Sequence, residues 1–409
     1  MKLIGNAIVG QSGGPTAAIN ATLVGVLRGA RQARVDGAIE KIYGMRNGVE
    51  GLLREDLIDL TSFIDNKDDE KTLTNTPAAA LGSCRKKLPP VGDDDEQYEK
   101  IISIFKKYDI RYFFYIGGND SMDTVAKLSK YTNECGYEMR LIGVPKTIDN
   151  DLFVTDHTPG FGSAAKYIAT MTQEILRDCA VYTVKAVTII EIMGRDTGWL
   201  TAASAIGRSV TGYAPDYIYL PETSFDDEKF ILDVKKALDV HPNVVIAVSE
   251  GVHYADGREL GAINSTVDVF GHKQLAGSAK ALEALVKEKI GCKVRSIELN
   301  LCQRCASHIA SLTDINESLA VGEAAVKAAI GGVSRVMMIF RRQEENGYSS
   351  TVEYASIDDI ANKIKYVPKK YINEEENNIT DEFIEYLKPL IAGEVDIDYV
   401  GGLPKHYIF

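Results

Sequence analysis

Three times along this chain an apolar strand runs into a glycine turn and then a helix, and that repeat limits the fold more than any other feature. Leu3 to Val9 leads into Gly10-Gln11-Ser12-Gly13-Gly14-Pro15 and a helix expected from about Thr16 to Arg31. Tyr112 to Ile116 leads into Gly117-Gly118-Asn119-Asp120-Ser121 and a helix over about Met122 to Tyr131, and Val187 to Ile192 ends in Met193-Gly194-Arg195-Asp196-Thr197-Gly198. Further strands are expected at Ile39 to Tyr43, Arg140 to Val144, Tyr217 to Leu220, Val244 to Val248, Val294 to Leu299 and Val336 to Phe340. Helical patterns at Asp95 to Tyr108, Ala165 to Cys179, Asp226 to Leu238, Lys273 to Lys289 and Leu319 to Ala329 separate them. Strands alternating with helices build parallel sheets covered on both faces. The expected fold is therefore α/β: two Rossmann-like lobes with mainly parallel sheets flanked by helices, and a cleft between them. A chain of 409 residues exceeds one ordinary core. The expected division is an N-terminal lobe over 1–150, a second lobe over 151–341, and an extension over 342–409 packed across both.

The chemistry concentrates in Val144-Pro145-Lys146-Thr147-Ile148-Asp149-Asn150-Asp151, where a strand ends and a cation, a hydroxyl and two carboxylates follow in one turn. Pro145 stops the strand, and the carboxyl ends of strands in open α/β sheets face the ligand crevice. Asp149 is placed to take a proton from an attacking hydroxyl while Lys146 and Thr147 face phosphoryl oxygens. The plain alternative is a polar loop whose Asp and Asn residues make Asx turns. Glycine turns that open helices expose backbone N–H groups at a positive helix end and suit anions, although glycines also serve tight turns for steric reasons alone. Leu81 to Lys87 adds three cations, among them Arg85, as either a surface cluster or a phosphate contact.

Composition narrows the partners. A formal net charge of −12 argues against nucleic acid, yet a small anionic substrate needs only a locally basic cleft. No apolar run is long enough for a bilayer, and the first residues lack a signal-peptide profile, so no membrane partner and a cytoplasmic location are expected. The six cysteines are expected to be reduced thiols, and Cys302-Gln303-Arg304-Cys305 offers only two of the four ligands of a structural zinc. The first glycine turn lacks the G-x-G-x-x-G spacing of dinucleotide sites, which disfavours an oxidoreductase.

Taken in order, Gly10 to Gly14, Gly117 to Ser121, Pro145 to Asp151, Met193-Gly194-Arg195, and Ser249-Glu250-Gly251 followed by Arg295 to Arg304 resemble the phosphofructokinase family up to about residue 340. The resemblance implies phosphoryl transfer to the 1-hydroxyl of fructose 6-phosphate in glycolysis. It makes Asp149 the base, Asp151 a second carboxylate, Thr147 a holder of the phosphoryl group and Arg195 a stabiliser of its charge. Met193, Gly194, Glu250, Arg295 and Arg304 then bind the sugar phosphate, and Gly13, Gly14, Arg85, Gly118, Asp120 and Lys146 the donor. In the family one arginine of the sugar site comes from a neighbouring subunit, which implies a homodimer or homotetramer.

Departures from the family pattern bear on the donor. ATP-using members carry Gly-Gly-Asp-Gly where this chain has Gly117-Gly118-Asn119-Asp120, and Pro-Gly-Thr-Ile-Asp where it has Pro145-Lys146-Thr147-Ile148-Asp149. A carboxylate in the path of the α-phosphate and a cation near the end of a shorter donor exclude ATP and favour pyrophosphate. Asn119 stands where a magnesium-associated aspartate is usual, so Mg²⁺ is expected mainly on pyrophosphate oxygens, helped by Asp120 or Asp151. Leu301 replaces a sugar-site histidine and Ala186, beside Lys185, an intersubunit arginine, leaving a longer ketose phosphate such as sedoheptulose 7-phosphate as an alternative. An ATP-dependent enzyme and a catalytically silent sensor are the other readings.

Overall fold

The computed structural model describes residues 3–63, 67–261, 277–345 and 347–409. The chain begins with β1 (Gly5–Gln11), α1 (Ile19–Val35), β2 (Ile39–Met45), α2 (Gly48–Arg54), β3 (Leu57–Asp59) and α3 (Lys67–Thr74). It continues through α4 (Glu96–Lys107), β4 (Ile110–Gly117), α5 (Asn119–Glu134) and β5 (Arg140–Pro145). A second run follows: α6 (Phe161–Cys179), β6 (Ala186–Ile192), α7 (Trp199–Ala203), α8 (Gly207–Val210), β7 (Tyr217–Tyr219), β8 (Ser224–Phe225), α9 (Asp227–Val240) and β9 (Asn243–Ser249). Beyond it lie β10 (His253–Tyr254), α10 (Ser278–Lys289), β11 (Lys293–Glu298), α11 (Cys302–Cys305), α12 (Leu312–Ile330), β12 (Val336–Gln343), β13 (Ser349–Ser356) and α13 (Asp381–Leu387).

Two sheets carry the cleft. The first has seven strands in the order β13-β12-β5-β4-β1-β2-β3, and the second has four in the order β11-β6-β9-β7. The second is parallel throughout, while in the first only the edge strands β3 and β13 run antiparallel to their neighbours. Helices cover both faces, and β4 shows why its sequence lacks alternation. Tyr112 and Phe114 enter one core with Leu23 and Leu27, whereas Phe113 and Tyr115 enter the opposite core with Ile101 and Phe105. A strand buried on both faces reads as a continuous apolar run.

Sheet membership departs from the linear division at 150 and 341. After the second sheet is complete, α12 packs along α1 and β12 pairs in parallel with β5, so the chain returns to the first sheet. The helix contact depends on small residues: a Cβ on Gly25 would lie 2.1 Å from Leu319 O, and one on Gly322 2.3 Å from Thr22 O. Local periodicity identifies β12 as a strand but holds no record of which edge will cover it. Past residue 342 the polar sequence still forms β13, paired along its full length with β12.

Helix ends also shift from expectation. α1 begins at Ile19, after an irregular stretch, and α6 begins at Phe161 because Asp314 of α12 accepts from Gly160 N and Ser163 N, both at 2.9 Å. That cap comes from far along the chain and satisfies N–H groups left open at a helix start. The expected start of the Lys273–Lys289 helix lies outside the described residues; its described part is α10. Among the described residues no helix is long and apolar enough to cross a membrane.

Candidate active site

The first wall is built from the ends of β1, β4 and β5. Gly13 N donates to Cys84 O at 3.1 Å and Ser83 Oγ to Gly13 O at 2.5 Å, which fixes the basic 81–87 loop against the glycine turn. Lys146 N donates to Gly117 O at 3.0 Å, and its buried ammonium donates to Gly14 O at 2.7 Å. A Cβ on Gly13 would sit 3.1 Å from Lys146 Nζ, and one on Gly14 3.3 Å from Arg304 Nη1. Gly13, Gly14, Lys146 and Arg304 thus meet at one point. Gly118 is the residue before α5, and Asp120 lies in the first turn of that helix with Lys87 Nζ at 3.0 Å. Arg85 is exposed, and its charge acts on both Lys146 and Arg304. Burial pushes Lys146 down to about 8 against the pull of Asp149 and Asp151.

The floor is the turn after β5. Asp149 N donates to Thr147 Oγ1 at 3.1 Å, Thr197 Oγ1 donates to Asp149 O at 3.1 Å, and Thr158 Oγ1 donates to Thr147 O at 2.8 Å. Asn150 takes a left-handed φ of 53°, which asparagine tolerates better than most residues. Burial pushes the Asp149 carboxyl up, opposed by Lys146 and Arg195. Burial and then the charge of Asp149 push Asp151 up to about 7. Two adjacent carboxylates in a desolvated floor resist double ionisation, so one of them holds a proton more readily than an isolated aspartate would.

The second wall follows β6 and β9. Gly194 has φ 145°, and a Cβ there would lie 2.4 Å from Thr197 O and 2.8 Å from Ser249 Oγ, so no side chain fits. Ser249 Oγ donates to Gly194 O at 2.5 Å and Gly194 N to Glu250 Oε1 at 3.3 Å, joining the two strand ends. Burial pushes Glu250 up to about 7. Arg195 Nε is buried with no hydrogen-bond partner among the described residues, while its charge acts on Asp149 and Glu250. A buried donor left open costs stability unless a ligand fills it, and an anion beside Asp149 would do so. Met193 N donates to Gln303 Oε1 at 3.1 Å. Burial, then Arg85, pushes Arg304 down, with Asp149 and Glu250 opposing.

Most of the expected residues converge, and one does not. Arg295 is exposed on β11, the edge strand of the second sheet, where it pairs with Thr188 rather than with the strand end at Glu191. It lines a small recess with Asp178, Cys179 and Tyr182, away from Arg304. Sequence reading missed Gln303, Thr197, Asn150 and Lys365. Gln303 lies between two expected positions, but only the fold shows that its amide holds Met193. Cys302 and Cys305 are exposed free thiols, and among the described residues no group of three or more His, Cys, Asp or Glu is placed to hold a metal ion.

A two-lobed α/β cleft whose glycine turns, buried lysine and paired carboxylates meet an arginine with its buried Nε open among the described residues defines an anion-binding class of site. The Phosphofructokinase family profile matches residues 6–329, and the chain belongs to that family. It is 43% identical over 404 residues to the pyrophosphate–fructose 6-phosphate 1-phosphotransferase of Halomonas elongata, covering 98% of this chain and 95% of that one. It is 40% identical over 403 residues to the protein of the same name from Methylococcus capsulatus, with the same coverage. The crystal structure of pyrophosphate-dependent phosphofructokinase from Nitrosospira multiformis superposes with a TM-score of 0.89 at 40% identity, covering 99% of this chain and 96% of that one.

Proposed function

We propose that the chain catalyses reversible phosphoryl transfer from pyrophosphate to the 1-hydroxyl of fructose 6-phosphate, giving fructose 1,6-bisphosphate and phosphate, as a cytoplasmic enzyme of glycolysis. The observation that carries the donor assignment is Lys146, whose buried ammonium lies against Gly14 where a glycine would leave room for a longer donor. The near full-length relatives named for pyrophosphate support the same reading.

Asp149 accepts the proton of the 1-hydroxyl, that oxygen bonds to the phosphorus, and the bridging P–O bond breaks to release phosphate. Lys146, Arg195 and Thr147 meet the charge on the transferring group, where fixed dipoles and cations in a desolvated cleft act most strongly. Glu250 accepts from sugar hydroxyls and Arg304 takes the 6-phosphate, with Met193 and Gly194 shaping the pocket. Mg²⁺ would be held mainly by pyrophosphate oxygens with help from Asp120 or Asp151, since this ion is bound through one or two carboxylates plus substrate phosphates. When bound it neutralises charge on the donor and the leaving phosphate. Arg295, exposed on an edge strand, serves the cleft of a neighbouring copy in a homodimer or homotetramer.

The test is an aldolase-coupled assay with fructose 6-phosphate and Mg²⁺. Turnover with pyrophosphate supports the reading; turnover with ATP alone, or none with either, overturns it.

A further inference from the structure

One short segment of the C-terminal extension reaches into the cleft region. Asn119 accepts from Asn362 N at 2.6 Å and donates Nδ2 to Lys363 O at 3.2 Å, so the start of α5 grips residues 362 and 363. Two residues on, Lys365 N donates to Asp151 O at 2.8 Å. The Lys365 ammonium donates to Asn150 Oδ1 at 3.0 Å, Thr155 O at 3.1 Å and Asp156 O at 2.9 Å. Those three acceptors use all three of its protons. Trp199 Nε1 donates to Lys365 O at 2.9 Å, and Glu222 accepts from both Val367 N at 2.9 Å and Gly198 N at 3.0 Å.

We propose that residues 362–367 are a strap that ties the donor wall, the catalytic turn and the Arg195–Gly198 turn together, with Lys365 as the positioning residue for the Asn150–Asp151 turn. The Asn150 amide is held at both ends: its oxygen accepts from Lys365 and its nitrogen donates to Tyr386 Oη at 3.1 Å. That clamp fixes a residue in the left-handed region next to both carboxylates, and the ammonium places a compensating charge beside Asp151. Asn119 gains a reason of its own. One end of its side chain must accept and the other donate, which an amide does and a carboxylate does not.

The proposal rests on Asp149 being the base, and the full-length protein tests it. Lys365→Met is expected to lower kcat on the order of 10²-fold, the cost of a small misplacement of catalytic groups, while the KM values for fructose 6-phosphate and donor stay within about threefold by the same reasoning, since ground-state contacts remain. Adding Asn150→Ala to it should cost little more, because the two act through one clamp. An unchanged kcat, or a loss shared between kcat and KM that adds fully with Asn150→Ala, overturns the proposal. If Lys365→Met does not fold, Asn119→Ala at the exposed end of the strap decides: a kcat loss with unchanged fructose 6-phosphate KM supports it, and none overturns it. The variants are compared using whichever donor the parent uses, so failure of the pyrophosphate reading is seen in the parent alone.

Discussion

The donor wall and the sugar wall are made from the same unit, strand then glycine turn then helix, yet the residues proposed for the donor converge within the chain while Arg295, proposed for the sugar phosphate, stands apart on an edge strand. On the donor side Gly14 accepts from the Lys146 ammonium with Arg304 close by, and Asp120 has its own partner in Lys87. On the sugar side Glu250 and Met193 are held by backbone and amide contacts, but Arg295 stays on the open edge of β11. The difference teaches that the proposed donor site rests on short-range geometry in one chain, whereas the role proposed for Arg295 depends on a neighbouring copy covering the edge of the second sheet.

The largest expected effect belongs to the floor that both walls share. Asp149→Ala should lower kcat by on the order of 10²–10⁴-fold, the usual cost of losing a general base. A variant with near-normal turnover and an unaltered pH profile would remove the common floor from the account.

Arg304→Ala separates the walls next. Losing a charge-assisted contact costs about 1.5–3 kcal/mol, and the rise should appear in the KM for fructose 6-phosphate more than in that for the donor. Because Arg304 also stands against Gly14, an effect confined to the donor would reassign it to the other wall. Arg295→Ala should match it only in an assembled oligomer, which size-exclusion chromatography of the assayed sample checks.

Acidity sharpens the comparison further. Asp149 must be ionised to accept a proton, and its pair with Asp151, raised to about 7, is not fully ionised below neutrality. Burial lowers Lys146 to about 8 and Lys365 to about 7, so both lose charge on the alkaline side. Turnover should therefore rise toward pH 7 and fall on the alkaline side, and Lys146→Arg should remove the later part of that fall because a guanidinium stays charged. A flat profile from pH 6 to 9 would contradict both assignments.

The smallest effect is on stability. A carboxyl raised in the folded state disfavours folding where it is ionised, so its cost is present above the folded value and vanishes below the unfolded one. Asp151→Asn should accordingly raise Tm at pH 8, with the gain gone by pH 4, as scanning calorimetry would record.

How much of this was legible in the sequence follows the same contrast. The glycine turns and the Pro145–Asp151 turn are contiguous, so their residue types and order expose their chemistry. The seat of β12 beside β5, the amide of Gln303 on Met193 and the ammonium of Lys365 under Asn150 join positions far apart in the chain. No local pattern specifies such partners, since periodicity records which face is apolar and not what covers it. Arg295 shows the limit clearly: the family resemblance pairs it with Arg304 in one phosphate grip, while the fold sets it exposed on an edge strand opposite Thr188.

The most direct test of the central claim compares kcat/KM for pyrophosphate and ATP in the parent, Asp120→Gly, Lys146→Gly and the double variant. The exposed ion pair of Asp120 contributes little to stability, so its removal should leave the fold intact. The parent is expected to prefer pyrophosphate, and Asp120→Gly to open ATP turnover. Lys146→Gly should mainly weaken pyrophosphate use, and the double variant should favour ATP further. A parent that prefers ATP, or an Asp120→Gly variant with no ATP turnover and unchanged pyrophosphate use, would contradict the claim.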